Sequence, residues 1–128
     1  MRRRMAGARV ARMAMVAPDG APRLVPVCFA LAGDRLVTAI DGKPKSTRRL
    51  ARLTAIAREP RVSLLADAWS EDWSRLWWVR ADGEARVAEL DADSRQRLAV
   101  KYPQYAADPP AGPMIEIVVR RWTGWSAR

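Results

Sequence analysis

Short apolar runs separated by turn-forming residues fill the first part of the chain. Runs of this length and composition are typical of β-strands joined by tight turns. They predict strands over residues 10–17, 23–31 and 35–40, the first of which could also be a helix end that leads into a strand. Pro26 indicates that the second strand lies at an edge or contains a bulge, because proline cannot donate to a strand ladder. Together the three runs predict an antiparallel meander.

A helical pattern follows these strands. Ser46 or Thr47 suits the N-cap of the helix, and Pro60 ends it. The apolar residues that recur at helical spacing are Leu50, Leu53, Ile56 and Ala57. The rest of the chain predicts strands over 61–66, 76–81, 85–89 and 114–122, with a turn at 82–83, a short helix that Asp91 or Asp93 caps and that ends at Lys101, and a loop over 103–113.

Six or seven short strands with two short helices predict a mainly β domain of the α+β kind, a small β-barrel with helical additions. The 128 residues suffice for one domain with a core of its own but not for two, so 1–128 is expected to form a single domain. No apolar run reaches the length that crosses a bilayer. The basic start lacks the continuous apolar stretch of a signal peptide, and only one cysteine is present. We therefore expect a cytoplasmic protein without a membrane partner.

The composition also limits the chemistry. The chain has no histidine and a single cysteine, which excludes Ser-His-Asp and Cys-His catalysis, the usual zinc sites and histidine ligation of haem. An enzyme of this composition needs a bound cofactor for its chemistry. The net charge of +9 suggests nucleic acid, but the basic residues are scattered along the chain. A phosphate-bearing or acidic small ligand explains this charge equally well, and we expect no nucleic-acid partner.

The stretch DGKPKSTRRLARL, residues 41–53, concentrates positive charge where the first helix begins. Helix starts favour negative side chains, because their free N–H groups already present positive potential. Lysines and arginines at such a place, together with hydroxyl groups, indicate a bound anion. The alternative is that no anion binds and that the helix start is simply exposed to solvent in an arginine-rich protein.

The order of several segments resembles the pyridoxamine 5′-phosphate oxidase-like split-barrel family. The segments are RLVPVCFAL, KPKSTRRL followed by EPRVSLL, LWWVRADGEARV and RWTGWSA. The branch most similar to this chain is the actinobacterial one of probable coenzyme F-420 (deazaflavin)-dependent oxidoreductases. The resemblance begins at about Val10. Relatives usually carry a longer helix before the first strand, where this chain has only a short arginine-rich piece.

The resemblance implies a split β-barrel of the FMN-binding type that forms a homodimer with its cofactor at the subunit interface. It implies hydride transfer between F-420 and a small organic substrate, and no metal or catalytic residue is assigned. The phosphate contacts implied are Lys43, Lys45, Ser46, Thr47 and Arg48. The ring contacts implied are Val27, Cys28, Phe29, Thr38, Ala39 and Trp122, with Trp77 or Trp78 from the second subunit.

Several alternatives stay open. The same fold could bind FMN in place of F-420, or hold a cofactor without catalysis. A basic nucleic-acid-binding barrel is a third reading. Cys28 could simply be a packed strand residue, and Trp78 and Trp122 could serve packing alone. Core packing or the dimer interface is the expected place of Trp69, Trp73 and Trp125.

Overall fold

The computed structural model describes residues 1–40 and 47–127. In these residues the chain forms seven strands and four α-helices. Two of these helices were predicted, and the sequence pattern missed the other two. A short 3₁₀ turn, Trp73–Arg75, lies between the fifth and sixth strands. In chain order the elements are α1 (Arg2–Gly7), β1 (Ala11–Val16), β2 (Pro22–Val27), β3 (Ala30–Ala32), β4 (Arg35–Ala39), α2 (Thr47–Arg58), β5 (Arg61–Ala68), β6 (Trp77–Ala88), α3 (Ala92–Lys101), α4 (Pro103–Ala107) and β7 (Met114–Ser126).

The seven strands form one antiparallel sheet in the order β2-β1-β5-β6-β7-β4-β3. The two strands at the ends of this order, β2 and β3, are consecutive in the chain and separated only by Cys28 and Phe29. The two antiparallel pairings of the predicted meander are both present. The strand predicted over 23–31, however, is split. Its first half pairs back with β1 and its second half pairs with β4, which places them at opposite edges. The predicted edge position of Pro26, in β2, is confirmed.

The longest pairing in the sheet joins β6 and β7, from Trp77 opposite Ser126 to Ala88 opposite Met114. The turn predicted at Asp82-Gly83 is wrong, because β6 continues through these residues with only a shift in register. A Cβ atom at Gly83 would lie 2.3 Å from the carbonyl oxygen of Val118. Glycine therefore serves a close approach of two backbones here, as it does in many bulges. The last strand also runs beyond its predicted end at residue 122.

Alternate side chains of the strands point into the barrel, where they form the main core with Ile56 and Ala55 of α2. Ala57, predicted on the buried face of this helix, is exposed, whereas Leu53 packs against the core as predicted. A second cluster fills the space between the β3–β4 hairpin and α3. Its buried members are Ala30, Val37, Ala39, Leu90, Leu98, Tyr102 and Met114.

The two unpredicted helices flank the sheet. The short arginine-rich start forms α1, whose Met5 is fully buried in the main core. The stretch predicted as a loop over 103–113 begins with α4, because proline is well tolerated in the first turn of a helix. Asp91 caps α3 by accepting a hydrogen bond from the Ser94 amide, as predicted. No helix among the described residues is long and apolar enough to cross a membrane.

Candidate functional site

The break between β2 and β3 is held in place by one phenol group. The backbone N–H of Phe29 donates to the Tyr102 hydroxyl over 3.0 Å, and this hydroxyl donates to the carbonyl oxygen of Arg9 over 2.9 Å. Burial is the main cause that raises the pKa of Tyr102, so the hydroxyl keeps its proton. Tyr102 thus joins the break to the end of α3 and to the segment before β1.

The break brings together residues that the resemblance places beside a cofactor ring. Ala30 pairs with Val37, so Phe29 and Thr38 are neighbours at the end of this ladder. Val27 and Phe29 are buried in the main core, whereas Cys28 is exposed. The alternative reading of Cys28 as a packed strand residue is therefore wrong, because it lies in the break between strands.

Thr38 and Ala39 are both buried, with 2 % and 8 % of their surfaces exposed. Successive residues of a strand point to opposite faces. Ala39 belongs to the cluster packed against α3, so the side chain of Thr38 points to the other face. A ring at this place could meet both residues only through the backbone of β4.

The predicted phosphate site falls largely on residues that the structure does not describe. Lys43, Lys45 and Ser46 lie outside the described residues. Thr47 and Arg48 form the first turn of α2, which begins where the sequence predicts it. The anion site at this helix start therefore remains a prediction.

Trp78 and Trp122 lie far along the β6–β7 pairing from Ile115, the β7 partner of Thr38. Thr38 pairs with Ile115 in β7, and roughly 23 Å of extended strand separates Ile115 from Trp122, at about 3.3 Å per residue. Trp78, which is opposite Trp125, lies further still from this end of β7. A single chain therefore does not bring these two tryptophans next to Thr38.

Trp122 has its own partners within the chain. Its Nε1 donates to Asp34 Oδ1 over 2.9 Å, and the Arg2 guanidinium lies 5.5 Å from the centre of its ring. Hydrogen bonds from Arg2 and from Trp122 lower the pKa of Asp34, in that order of importance. The α1 helix therefore covers the rim of the barrel at Trp122. The tryptophans at 69, 73 and 125 are exposed and do not belong to the core of the chain.

Sequence reasoning missed Lys101, the last residue of α3. Its Nζ lies 3.7 Å from the centre of the Phe29 ring and 5.3 Å from that of Tyr102. The Nζ atom is buried without a hydrogen-bond partner among the described residues. Burial, and secondly the charge of Arg9, lowers the pKa of Lys101 to about 8. The only sequence signal was a lysine at a helix end, which usually faces solvent.

A network of ion pairs fixes the position of α3 against the sheet. Arg35 pairs with Glu116 over 2.6 Å and with Asp91 over 2.7 Å, and it also donates to the Ser94 hydroxyl over 2.9 Å. Arg86 pairs with the second oxygen of Glu116 over 2.8 Å. These hydrogen bonds lower the pKa of Glu116, with the bond from Arg86 as the largest cause. The network serves to position α3 and hence its terminal Lys101.

Two cavities open on the surface of the described residues. The larger, about 500 Å³, lies beside the Gly83 bulge and is lined by both charged and apolar side chains, including Met15, Arg61 and Asp82. The smaller, about 380 Å³, lies between α1 and β1, and four arginines and Trp77 are among its lining residues. Of the predicted cofactor contacts, only Trp77, the alternative to Trp78, lines one of these two cavities.

Comparison with solved structures supports the fold. A conserved hypothetical protein from Mycobacterium tuberculosis shares 21% identity over 98% of this chain and 82% of its own, with a TM-score of 0.76. An FAD-binding protein from Mesorhizobium loti shares 18% identity over 95% of this chain and 88% of its own, with a TM-score of 0.69. A heme binding protein from Mycobacterium smegmatis shares 19% identity over 98% of this chain and 56% of its own, with a TM-score of 0.73.

A comparison with curated proteins finds no significant match. The sequence profile of the pyridoxamine 5′-phosphate oxidase family, by contrast, matches residues 1–126, almost the whole chain. The seven-stranded antiparallel sheet is that of its split barrel, which confirms the predicted fold class. Flavin-binding and haem-binding proteins are both among the structures that share this fold. The chain therefore belongs to the pyridoxamine 5′-phosphate oxidase family.

Proposed function

We propose that this protein is an oxidoreductase that binds coenzyme F-420 and uses it to transfer a hydride to or from a small organic substrate. One observation carries the proposal. The break between β2 and β3 brings Phe29 next to Thr38, at the end of the strand that leads into the basic residues before α2. The residues to which we assign the ring and those to which we assign the phosphate are thus both next to the end of β4 along the chain.

One buried charge supports a flavin-type ring at the 27–29 segment. Lys101 Nζ is a buried cation without a hydrogen-bond partner among these residues, directly behind the Phe29 ring. A positive charge at this place stabilises the negative charge that a ring gains on reduction. When bound, the ring gives or takes the hydride. The protein binds and orients the two reactants and excludes water from them.

The proposed site is completed by a second copy of the chain. Trp78 and Trp122 are too distant from Thr38 to share one ring with it inside a protomer. In a homodimer Trp78 and Trp122 of the second copy can approach the ring held by the first copy, because a two-fold symmetric interface places the same surface of each copy against the other. Three further tryptophans, at positions 69, 73 and 125, are exposed in the single chain and suit such an interface. We place the dimer in the cytoplasm.

The preference for F-420 over FMN rests on charge. Both cofactors share a tricyclic ring, a ribityl chain and a first phosphate, but F-420 continues through lactate into several glutamates. A polyanionic tail suits a chain of net charge +9, and Lys43, Arg48, Arg49 and Arg52 are candidate contacts. FMN remains the alternative cofactor, and a cofactor-binding protein without catalysis is the alternative function. No observation favours haem, since the chain has no histidine.

Paired titrations of the purified apoprotein with F-420 and with FMN test the proposal. We expect F-420 to bind at least about tenfold more tightly, a difference of roughly 1.4 kcal/mol. Part of this preference should disappear at high salt, because exposed contacts to the tail are screened. Equal or tighter binding of FMN would assign the chain to the flavin-using members of the family. Binding of both cofactors without turnover of any reductant would favour the non-catalytic alternative.

A further inference from the structure

The smaller cavity collects positive charge that the proposed cofactor contacts leave unexplained. Asp67 is the one carboxylate among its lining residues. Four arginines also line it: Arg3, Arg4, Arg9 and Arg12. Asp67 Oδ1 lies 3.7 Å from Arg12, and both side chains are about half exposed. A pair this long and exposed neutralises little of the charge. The cavity is therefore positively charged in the single chain.

Two of these guanidiniums are held by groups that leave their charge uncompensated. Arg4 lies 5.2 Å from the centre of the Trp77 ring. Arg9 lies 4.8 Å from the centre of the Tyr102 ring and donates to the carbonyl oxygen of Lys101 over 2.7 Å. Aromatic faces and a carbonyl group fix the direction of a guanidinium without cancelling its charge. The cavity thus holds oriented cations.

The cavity and the 27–29 segment share Tyr102. Arg9 lines the cavity, and its carbonyl oxygen accepts the hydrogen bond of the Tyr102 hydroxyl. The same hydroxyl accepts the hydrogen bond of the Phe29 amide. Only one side chain therefore separates the cavity from the segment where we place the ring. A molecule in this cavity would therefore lie on the same side of the protein as the proposed cofactor ring.

We propose that the cavity between α1 and β1 binds the carboxylate of an acidic small-molecule substrate. The volume of about 380 Å³ falls at the lower end of the range for small-ligand pockets. A guanidinium matches a carboxylate with two parallel hydrogen bonds. Arg9 already donates to the Lys101 carbonyl group, and Arg12 faces Asp67. Fewer N–H groups therefore remain for an anion, which favours the two oxygens of a carboxylate over the three of a phosphate. The role as a substrate site rests on the proposed function, whereas anion binding itself does not.

The first test uses the apoprotein and two matched probes, benzoate and its uncharged analogue benzamide. Binding is followed by the NMR signals of the arginine Nε–H groups and the Trp77 indole. We expect benzoate to shift the signals of Arg9, Arg12 and Trp77. We expect benzamide to bind at least about tenfold more weakly, because it lacks the charge-assisted hydrogen bonds. Equal affinity of the two probes, or shifts confined to the Gly83 cavity, would overturn the proposal.

Matched variants separate a local site from general electrostatics. Arg12→Ala should weaken benzoate binding by at least about tenfold, whereas Arg95→Ala, an exposed arginine on α3, should change it less than about twofold. Asp67→Asn should strengthen binding, because it removes the carboxylate that opposes the ligand. Asp93→Asn makes the same charge change at an exposed position on α3 and should leave binding unchanged. Equal effects within either pair contradict a specific site.

A competition experiment distinguishes a substrate from the cofactor tail, since both carry carboxylates. Benzoate affinity is measured with and without saturating F-420, and triglutamate is titrated as a probe for the tail. A substrate site predicts that benzoate and F-420 bind together, with triglutamate no tighter than benzoate. Mutual exclusion would mean that the cavity holds the tail and would overturn the substrate assignment. If the protein does not bind F-420 at all, the proposed function fails while the benzoate arms still report on the cavity.

Discussion

Replacing Lys101 by methionine tests the consequence of burying an ammonium group behind Phe29. The pKa of Lys101 is lowered from 10.5 to about 8, mainly by burial. At about 1.36 kcal/mol per unit, this shift corresponds to about 3 kcal/mol against the charged form. Partial exposure of the side chain reduces the cost to about 2 kcal/mol through screening. The aromatic faces offset about 1 kcal/mol of it. We therefore expect Lys101→Met to raise the free energy of unfolding by about 1 kcal/mol at pH 7.

The stability difference between the lysine and methionine forms should change with pH in a definite direction. Between pH 8 and 10.5 the unfolded chain binds more protons at Lys101 than the folded chain does, so the stability contributed at this site rises with pH. The advantage of the methionine variant should therefore shrink as pH rises through this window. Lys101→Arg is the control, because a guanidinium stays charged throughout and should show no such rise.

The assay is urea unfolding at fixed protein concentration, at several pH values from 7 to about 10. Cys28 is replaced by serine in every variant, because its thiol interacts with Lys101. Arg9 and Tyr102, the other ionisable groups at this place, remain unchanged and cancel in the difference between variants. A stability difference between lysine and methionine that does not change with pH would refute the reasoning. So would a methionine variant that is less stable than the lysine form at pH 7.

Four further predictions follow from the remaining features. Lys45→Ala should weaken F-420 binding by about 1–3 kcal/mol in titrations, and Arg58→Ala, at the far end of α2, should do little. Light scattering at micromolar concentration should show a homodimer; a stable monomer would remove the shared site. Binding to DNA or RNA should be weak at physiological salt, and tight binding without affinity for either cofactor would replace the proposed function. Gly83→Ala should lower the midpoint of thermal unfolding, because its Cβ would meet the Val118 backbone; an unchanged midpoint would show that β6 and β7 adjust freely.

The sequence predicted the strands well where local alternation decides the structure. It failed where a distant partner decides. The run over 23–31 is apolar after Arg23, and its break at residues 28–29 exists only because its halves pair with different strands, β1 and β4. Asp82-Gly83 has the local composition of a turn, yet the approach of the Val118 backbone makes it a bulge inside a long strand. Neither pairing can be recognised from the residues that are close to it in the sequence.

The candidate site shows the same division. The resemblance places Val27, Phe29 and Thr38 at one cofactor site. In the structure Val27 and Phe29 share the main core and Phe29 lies next to Thr38, but their contact with a cofactor stays a prediction. Lys101 was missed because a lysine in the last turn of a helix normally serves the helix dipole and points to solvent. Here it folds onto the face of Phe29, which only the tertiary structure can show. The arginines of α1 were read as a basic start, and the cavity that Arg3 and Arg4 line with Trp77 depends on a helix that the pattern did not predict.

The hydrogen bonds of Tyr102 have a consequence for the order of events during synthesis. They join residues separated by 73 and 93 positions, so the segment before β1 and the β2–β3 break wait for most of the chain before they find this partner. The central strand β7, which pairs with both β6 and β4, emerges last. Contacts of such long range make folding slow. Until β7 is complete, a nascent or truncated chain exposes the edges of β4 and β6, and such unpaired edges are the surfaces through which aggregation begins.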